Sequence, residues 1–121
     1  MDEATRNEIA ALLRERRLVA DRTLRRNAEE GRDLLSARGE GTADDEHDPE
    51  GSTLSSEWAM LEALRADAER ELQEIDAALL GLERGSYGQC TECGREIQEA
   101  RLRARPVATM CVACAGAAER R

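Results

Sequence analysis

The sequence predicts an all-α protein: a long antiparallel coiled-coil helical hairpin followed by a small C-terminal four-cysteine module and a short terminal helix. Apolar residues recur at helical spacing in two long stretches, and four cysteines stand in two pairs near the C-terminus. Phe is absent from the 121 residues, there is one Trp and one Tyr, and 36% of the residues are charged. Such charge-rich, Leu/Ala-rich chains are typical of long helices with a thin apolar seam.

The first predicted helix covers residues 2–38. Its apolar positions follow the 3.6-residue period of an amphipathic helix. They are Ile9, Leu12, Leu13, Val19, Leu24, Ala28, Leu34 and Leu35. Gly39, directly after Arg38, predicts the C-terminal end of this helix, because glycine readily takes the left-handed conformation that closes many helices.

The second predicted helix covers residues 58–84 and has a clearer pattern. Its seam positions alternate steps of three and four residues, as in a heptad repeat. They are Trp58, Leu61, Arg65, Ala68, Leu72, Ile75, Leu79 and Leu82. Arg65 is the polar member, and we expect Leu64 to cover the resulting gap. Gly85 predicts the C-terminal end of the helix.

The start of the second helix has two alternatives in the sequence. In the first, Asp48 is the N-cap and Pro49 takes the first helical position, where proline is well tolerated. In the second, the helix begins at Ser52 or Thr53. The first alternative places more of the acidic connection within the helix.

The connection between the helices, at about residues 39–53, is strongly acidic. Residues 39–57 hold seven acids and no base, so they carry −7 of the net charge of −8. The clustered residues, which include the only histidine, are Asp44, Asp45, Glu46, His47, Asp48 and Glu50. Packing of the two seams predicts a hairpin roughly 45 Å long with this acidic tip opposite the cysteines. A solvated loop, a hard-cation site and a partner-binding tip all remain open from charge alone. The spacing of the acids is unlike that of a calcium loop, which favours the partner over the cation.

The cysteines form two Cys-x2-Cys pairs, Cys90 with Cys93 and Cys111 with Cys114, separated by seventeen residues. This spacing is typical of one tetrahedral Zn²⁺ site. Four thiolates leave no position for water, so the predicted role of the zinc is structural and not catalytic. The module, residues 87–121, is too small to fold on an apolar core alone, and zinc binding would stabilise it. Two disulfides, a redox pair and an iron–sulfur centre are the alternatives.

Composition also bears on the function class. No apolar run reaches the roughly 20 residues of a membrane span, and the polar, acidic N-terminus is unlike a secretory signal, so we expect a cytoplasmic protein. The acidic net charge argues against direct DNA binding, because affinity for phosphates depends on concentrated positive charge. An enzyme is not predicted, since no nucleophile–base pair or open metal position is visible, and His47 alone has no group to assist.

The finger resembles the DksA/TraR family. The resemblance rests on residues 87–97, 101–106 and 111–115 and extends back through the second helix to the acidic tip, where residues 44–51 look like those of actinobacterial members. It implies a zinc-binding regulator of transcription that binds RNA polymerase and inserts its hairpin into the secondary channel. The acidic tip would then approach the catalytic Mg²⁺, without sequence-specific DNA contacts.

The tip departs from the motif of the family, Asp-x-x-Asp-x-Ala. Counted back from Cys90 without a gap, the motif positions fall on His47, Glu50 and Ser52. A two-residue slip gives Asp45, Asp48 and Glu50, which restores the acids but not the alanine.

The family also implies a possible response to the alarmone ppGpp. Of the basic positions that some members use, Arg105 is retained, whereas two others hold Glu74 and Ala115. A glutamate repels a polyphosphate, so we expect weak or absent dependence on ppGpp. The alternative hypothesis for the whole chain is a zinc-finger adaptor that binds another protein through its helical hairpin.

Overall fold

The computed structural model describes residues 1–40 and 49–120. These residues form four helices: α1 (Glu3–Glu40), α2 (Pro49–Arg84), α3 (Glu99–Ala104) and α4 (Val112–Glu119). Residues 1–40 and 49–120 contain no β-strand, although an isolated antiparallel bridge joins Gln89 to Glu96. The predicted all-α class is confirmed, as is the short terminal helix, while α3 was not predicted.

Both long helices extend further towards the acidic segment than their periodicity indicates. α1 continues through Gly39 to Glu40, so the predicted end at Arg38 is wrong. Glycine inside a helix costs only about 1 kcal/mol, which does not by itself end one. α2 begins at Pro49, the first helical position of the first alternative, so residues 49–53 are helical instead of loop. Asp48, the N-cap of that alternative, lies outside the described residues. The predicted tip residues 44–48 lie outside the described residues.

The chain divides into two compact units. The first unit comprises Met1–Leu18 and Gln73–Arg121, and the second comprises Val19–Leu72. In the first unit, Arg6 donates to the Leu82 carbonyl and Arg17 pairs with Asp76, so α1 and α2 run antiparallel there. In the second unit, Gly31 lies against Trp58, with the same antiparallel sense. The predicted division of the chain at residues 86/87 stays a prediction.

The core of the first unit joins the helices to the cysteine module. It contains Ile9 and Leu13 from α1, Ile75 from α2, and Cys90, Ile97 and Leu102 from the C-terminal residues. Removing this apolar surface from water stabilises the unit by roughly 25 cal/mol per Å². The first cysteine of the predicted metal site is therefore also a core residue.

The buried face of α1 differs from the predicted stripe. Ile9, Leu13, Ala20 and Asn27 are buried, whereas Val19 and Leu35, both predicted to lie in the stripe, are largely exposed. Neighbouring helical residues point about 100° apart, so burying Ala20 turns Val19 towards solvent. A polar residue, Asn27, continues the heptad spacing instead.

The buried face of α2 agrees better with its predicted seam. Ala68 and Ile75 are buried, and the four leucines of the seam are half-buried. Arg65 is exposed and is held by Glu62 at 2.6 Å and Glu69 at 3.1 Å. Leu64 is also exposed, so the expectation that it covers the gap at Arg65 is wrong.

Ile75→Ala should destabilise the zinc-loaded protein by about 2–5 kcal/mol, because Ile75 is fully buried and its truncation leaves a cavity. Urea unfolding followed by far-UV circular dichroism measures the change. Leu80→Ala, on the exposed face of the same helix, is the matched control and should cost less than about 1 kcal/mol. Equal losses for the two variants would contradict the core assignment.

Candidate metal centre

The first cysteine pair lies on a tight turn after α2. α2 ends at Arg84. The next residue, Gly85, has a φ of 77°, and the Ser86 N–H donates to the Gly81 carbonyl at 2.9 Å. This bond closes the helix as in the Schellman motif. Beyond it, the Cys90 N–H donates to the Arg95 carbonyl at 2.8 Å, and the Gly94 N–H donates to the Cys90 carbonyl at 2.9 Å. These two hydrogen bonds fold the chain so that the thiols of the first cysteine pair point towards the same position.

The second cysteine pair lies at the N-terminus of α4. Cys111 is the N-cap, and its Sγ accepts a hydrogen bond from the Cys114 N–H at 3.4 Å. The Ala115 N–H donates to the Cys111 carbonyl at 2.9 Å. The first helical turn therefore sets the separation of these two thiols.

Three hydrogen bonds hold the two pairs together. The Thr91 N–H donates to the Thr109 carbonyl at 2.9 Å, and Arg101 Nε donates to the Met110 carbonyl at 2.9 Å. The Tyr87 hydroxyl donates to the Pro106 carbonyl at 2.8 Å, and burial raises the pKa of Tyr87 to about 12. Arg101 belongs to α3, whose six residues are too few for periodicity to reveal.

The four sulfur atoms meet at one point, as the cysteine spacing predicts. The Sγ atoms of Cys90, Cys93, Cys111 and Cys114 all lie within 4.8 Å of one another. Cys93 and Cys111 are 3.9 Å apart, and all four thiols are free. A tetrahedral zinc with bonds of about 2.3 Å separates its sulfurs by about 3.8 Å, whereas a disulfide needs about 2.05 Å. The donors therefore fit a zinc ion.

The four thiols are not equivalent. Cys90 is buried, Cys111 and Cys114 are half-buried, and Cys93 is exposed. Backbone N–H groups of Cys93 and Cys111 lower the pKa of the Cys90 thiol to about 6, because they stabilise its thiolate. Hydrogen bonds with the Cys111 and Cys90 side chains raise the pKa of Cys114 to about 12. The buried Cys90 thiol thus ionises more readily than the Cys114 thiol.

The other predicted site residues are dispersed. Arg105 is an exposed residue at the C-terminal end of α3, and Glu74 is exposed on α2. Glu50 belongs to the first turn of α2. Sequence reasoning missed Arg101 and Thr91, whose hydrogen bonds join the two cysteine pairs. Only a pattern of bonds between distant residues reveals their role.

Gly94→Ala should weaken zinc binding by roughly 5–30-fold, because φ is 76° at Gly94 and a left-handed alanine costs about 1–2 kcal/mol. Open space surrounds the position, so the loss comes from the backbone alone. Gly116→Ala, in α4 and also in open space, is the matched control. Alanine is the better helix former by about 1 kcal/mol, so zinc affinity should be unchanged or higher, by about fivefold at most. Competition with a chromogenic chelator measures both affinities, and equal values would contradict the turn assignment.

The C-terminal module matches a family model described as the prokaryotic dksA/traR C4-type zinc finger, over residues 85–120. A segment of 73 residues is 40% identical to the RNA polymerase-binding transcription factor DksA of Haemophilus influenzae and covers 60% of this chain and 50% of that protein. A segment of 62 residues is 50% identical to the RNA polymerase-binding transcription factor DksA of Caulobacter vibrioides and covers 50% of this chain and 44% of that protein. The chain spans about half the length of the curated relatives it matches.

Two solved structures resemble nearly the whole chain. The transcription factor DksA2 from Pseudomonas aeruginosa has a TM-score of 0.82 and 28% identity, covering 99% of this chain and 87% of that one. The DnaK suppressor protein from Agrobacterium tumefaciens has a TM-score of 0.53 and 31% identity, covering 92% of this chain and 91% of that one. Within the described part of the chain, every helix is too short or too polar to cross a membrane.

Proposed function

This chain belongs to the DksA/TraR family, and on that premise we propose that it binds RNA polymerase in the cytoplasm and regulates transcription. One observation carries the proposal: the four-cysteine module packs on the ends of two antiparallel helices through a shared core, in a fold similar to that of DksA2. Relatives with 40–50% identity over their aligned segments are named RNA polymerase-binding transcription factors.

We propose further that the helical hairpin enters the secondary channel and that its acidic tip acts near the catalytic Mg²⁺. The tip residues are Asp44, Asp45, Glu46, His47, Asp48 and Glu50. The charge distribution supports this, since residues 39–57 carry −7. A metal ion is the largest charge in such a site, so nearby carboxylates change its electrostatics. In this proposal the protein acts on the polymerase and supplies no catalytic group of its own.

We also propose that Cys90, Cys93, Cys111 and Cys114 hold one zinc ion in a structural role. Four thiolates complete a tetrahedral shell, so the ion would have no open position for substrate. The zinc would instead stabilise the turn, which contributes Cys90 to the core of the first unit, and the N-terminus of α4, whose Cys111 and Cys114 pack against that core.

Co-elution with RNA polymerase tests the proposed function. The zinc-loaded chain, labelled with a fluorophore, is mixed with purified bacterial RNA polymerase and analysed by size-exclusion chromatography and fluorescence anisotropy. We expect a saturable complex and a changed transcript yield from a promoter template. The alternative, an adaptor that binds another protein through its hairpin, predicts neither result, so their absence would reject our proposal.

Addition of ppGpp should not produce a saturable increment of binding to the polymerase complex of this protein beyond that of polymerase alone. Glu74 and Ala115 stand at positions where the resemblance implies basic residues in some family members, which leaves only Arg105. Isothermal titration of ppGpp into polymerase with and without the protein measures the increment. Glu74→Lys is the informative variant, and a clear increment with the unsubstituted chain would refute the expectation.

A further inference from the structure

The two compact units differ in the size of the side chains that they bury. In the second unit, the buried members of the described residues are Ala20, Asn27 and Ala68, and half-buried leucines flank them. Hydrophobic stabilisation grows with the apolar area removed from water, so two alanines contribute little. The largest fully buried side chains all belong to the first unit: Ile9, Leu13, Ile75, Leu102 and Pro106.

The buried asparagine of the second unit has an unsatisfied donor. Asn27 is only 8% exposed, and its Nδ2 is shielded from solvent without a hydrogen-bond partner among the described residues. A buried amide in this state has lost its hydrogen bonds to water and gained none in return. Separation of the helices would restore those hydrogen bonds. Asn27 therefore lowers the free energy of opening the second unit.

The packing beside Trp58 in the second unit is also incomplete. Two recesses of about 160 and 310 Å³ adjoin its ring. Side chains that line a gap lose the dispersion contacts that a filled core provides. Gly31 of α1 faces the same ring, and a Cβ added there would lie 3.5 Å from Trp58 Cζ3, an ordinary contact distance. This helical position thus lacks a methyl group for which there is space.

Ion pairs join the helices in the first unit, where Arg17 of α1 pairs with Asp76 of α2 at 2.9 Å. A pair within one helix supports that helix but does not hold it to its neighbour. Four ion pairs of the second unit are of this kind: Arg25 with Asp21, Arg65 with Glu62 and with Glu69, and Arg70 with Asp67.

We propose that the second unit opens and recloses as a separate cooperative element while the first unit, which carries the four cysteines, stays folded. Proteins commonly open in such contiguous elements, and those with few buried apolar contacts open most readily. Asn27 and Gly31 are the residues of α1 that hold the second unit close to opening. The inference concerns the free protein and goes beyond the proposed function, because it requires no binding to RNA polymerase.

Native-state hydrogen exchange of the zinc-loaded full chain, read by mass spectrometry, tests the proposal. A helix in a protein owes most of its stability to packing, so parted helices lose the protection of their amides. We expect the slowest amides of residues 19–40 and 49–72 to exchange at least about tenfold faster than the slowest amides of residues 1–18 and 73–120. Equal protection of the two sets would overturn the proposal.

Asn27→Leu should slow exchange in the second unit at least about fivefold, because leucine keeps the branching at Cγ and has no donor to leave unsatisfied. Residues 1–18 and 73–120 should remain within about twofold of their original rates, since the substitution acts on local opening. Asn7→Leu, the same change at an exposed position of α1 in the first unit, is the matched control. Its second unit should exchange as before.

Gly31→Ala tests the same equilibrium without altering Asn27. Alanine is the better helix former and fits beside Trp58, so exchange in the second unit should slow about fivefold. Gly116→Ala, in α4 of the first unit, is the matched control and should leave that exchange unchanged. If neither Asn27→Leu nor Gly31→Ala slows exchange in the second unit, or if both slow the two units equally, the proposal is refuted.

Trp58 provides an independent readout, because it is the only tryptophan of the chain and lies in the second unit. Its fluorescence in urea reports on that unit, and zinc release to a chromogenic chelator reports on the first. We expect the Trp58 transition at the lower urea concentration, and Asn27→Leu should move it towards the zinc transition. Coincident transitions in the unsubstituted chain would show one cooperative unit and overturn the inference while leaving the proposed function intact.

Discussion

Replacing Asp45, Asp48 and Glu50 with alanine should reduce the effect of the protein on transcription at least about tenfold, which corresponds to roughly 1.4 kcal/mol. The three substitutions remove three of the seven negative charges of residues 39–57. If these carboxylates act near the catalytic Mg²⁺, the electrostatic perturbation is lost with them. Polymerase affinity should change little, because the hairpin and the zinc module remain. Transcript yield and promoter-complex lifetime, measured at saturating protein, report the loss.

The matched control removes the same charge from elsewhere on the hairpin. Glu29, Glu30 and Asp33 are exposed residues of α1, and their replacement with alanine leaves the same net charge as the tip variant. We expect this control to retain the effect on transcription. A tip variant that is as active as the unsubstituted protein would refute the role of the acids. An equal loss of the effect on transcription in both variants would show instead that the effect depends on the net charge of the protein.

Loss of the zinc ion should unfold the cysteine module and loosen the first unit. Cys90→Ser should weaken zinc binding more than about 100-fold, because even groups that only support metal ligands contribute 10–100-fold. Structural zinc contributes on the order of 10–16 kcal/mol in small fingers. Since Cys90 packs with Ile9, Leu13 and Ile75, we expect faster hydrogen exchange in Met1–Leu18 as well as in the module. Treatment with a strong chelator should have the same effect.

Two comparisons make this result specific. Cys93→Ser removes an exposed ligand and should weaken zinc binding as strongly, although it replaces no core side chain. Ala113→Ser, between the cysteines of the second pair, introduces the same side chain at an exposed non-ligand position and should be close to neutral. Zinc content by mass spectrometry should be one ion per chain. Unchanged exchange in Met1–Leu18 after chelation would show that metal binding and helix packing are independent.

Local patterns predicted much of this fold. Most heptad positions of α2, its end just before Gly85 and the start of α4 near Cys111 all depend on residues close in sequence, and the structure confirms them. The convergence of the four thiols was also predictable, because two short Cys-x2-Cys turns constrain where each pair can point. These features are determined by short-range geometry.

The register of α1 was less predictable. Its stripe is weak, and the periodicity does not decide between neighbours such as Val19 and Ala20. Packing against α2 buries Ala20 and leaves Val19 in solvent. It also buries Asn27, which polarity alone assigns to the surface.

By itself, therefore, the sequence determined the helical class, the α2 seam and the set of four cysteines, because each is encoded by periodicity or by spacing along the chain. Only the tertiary structure decided that Cys90 shares a core with Ile9 and Leu13, and that the polar Asn27 is buried. The physical reason is that burial depends on contacts between residues distant in sequence. Local spacing defines which side chains share a face, but packing selects which of those faces is covered.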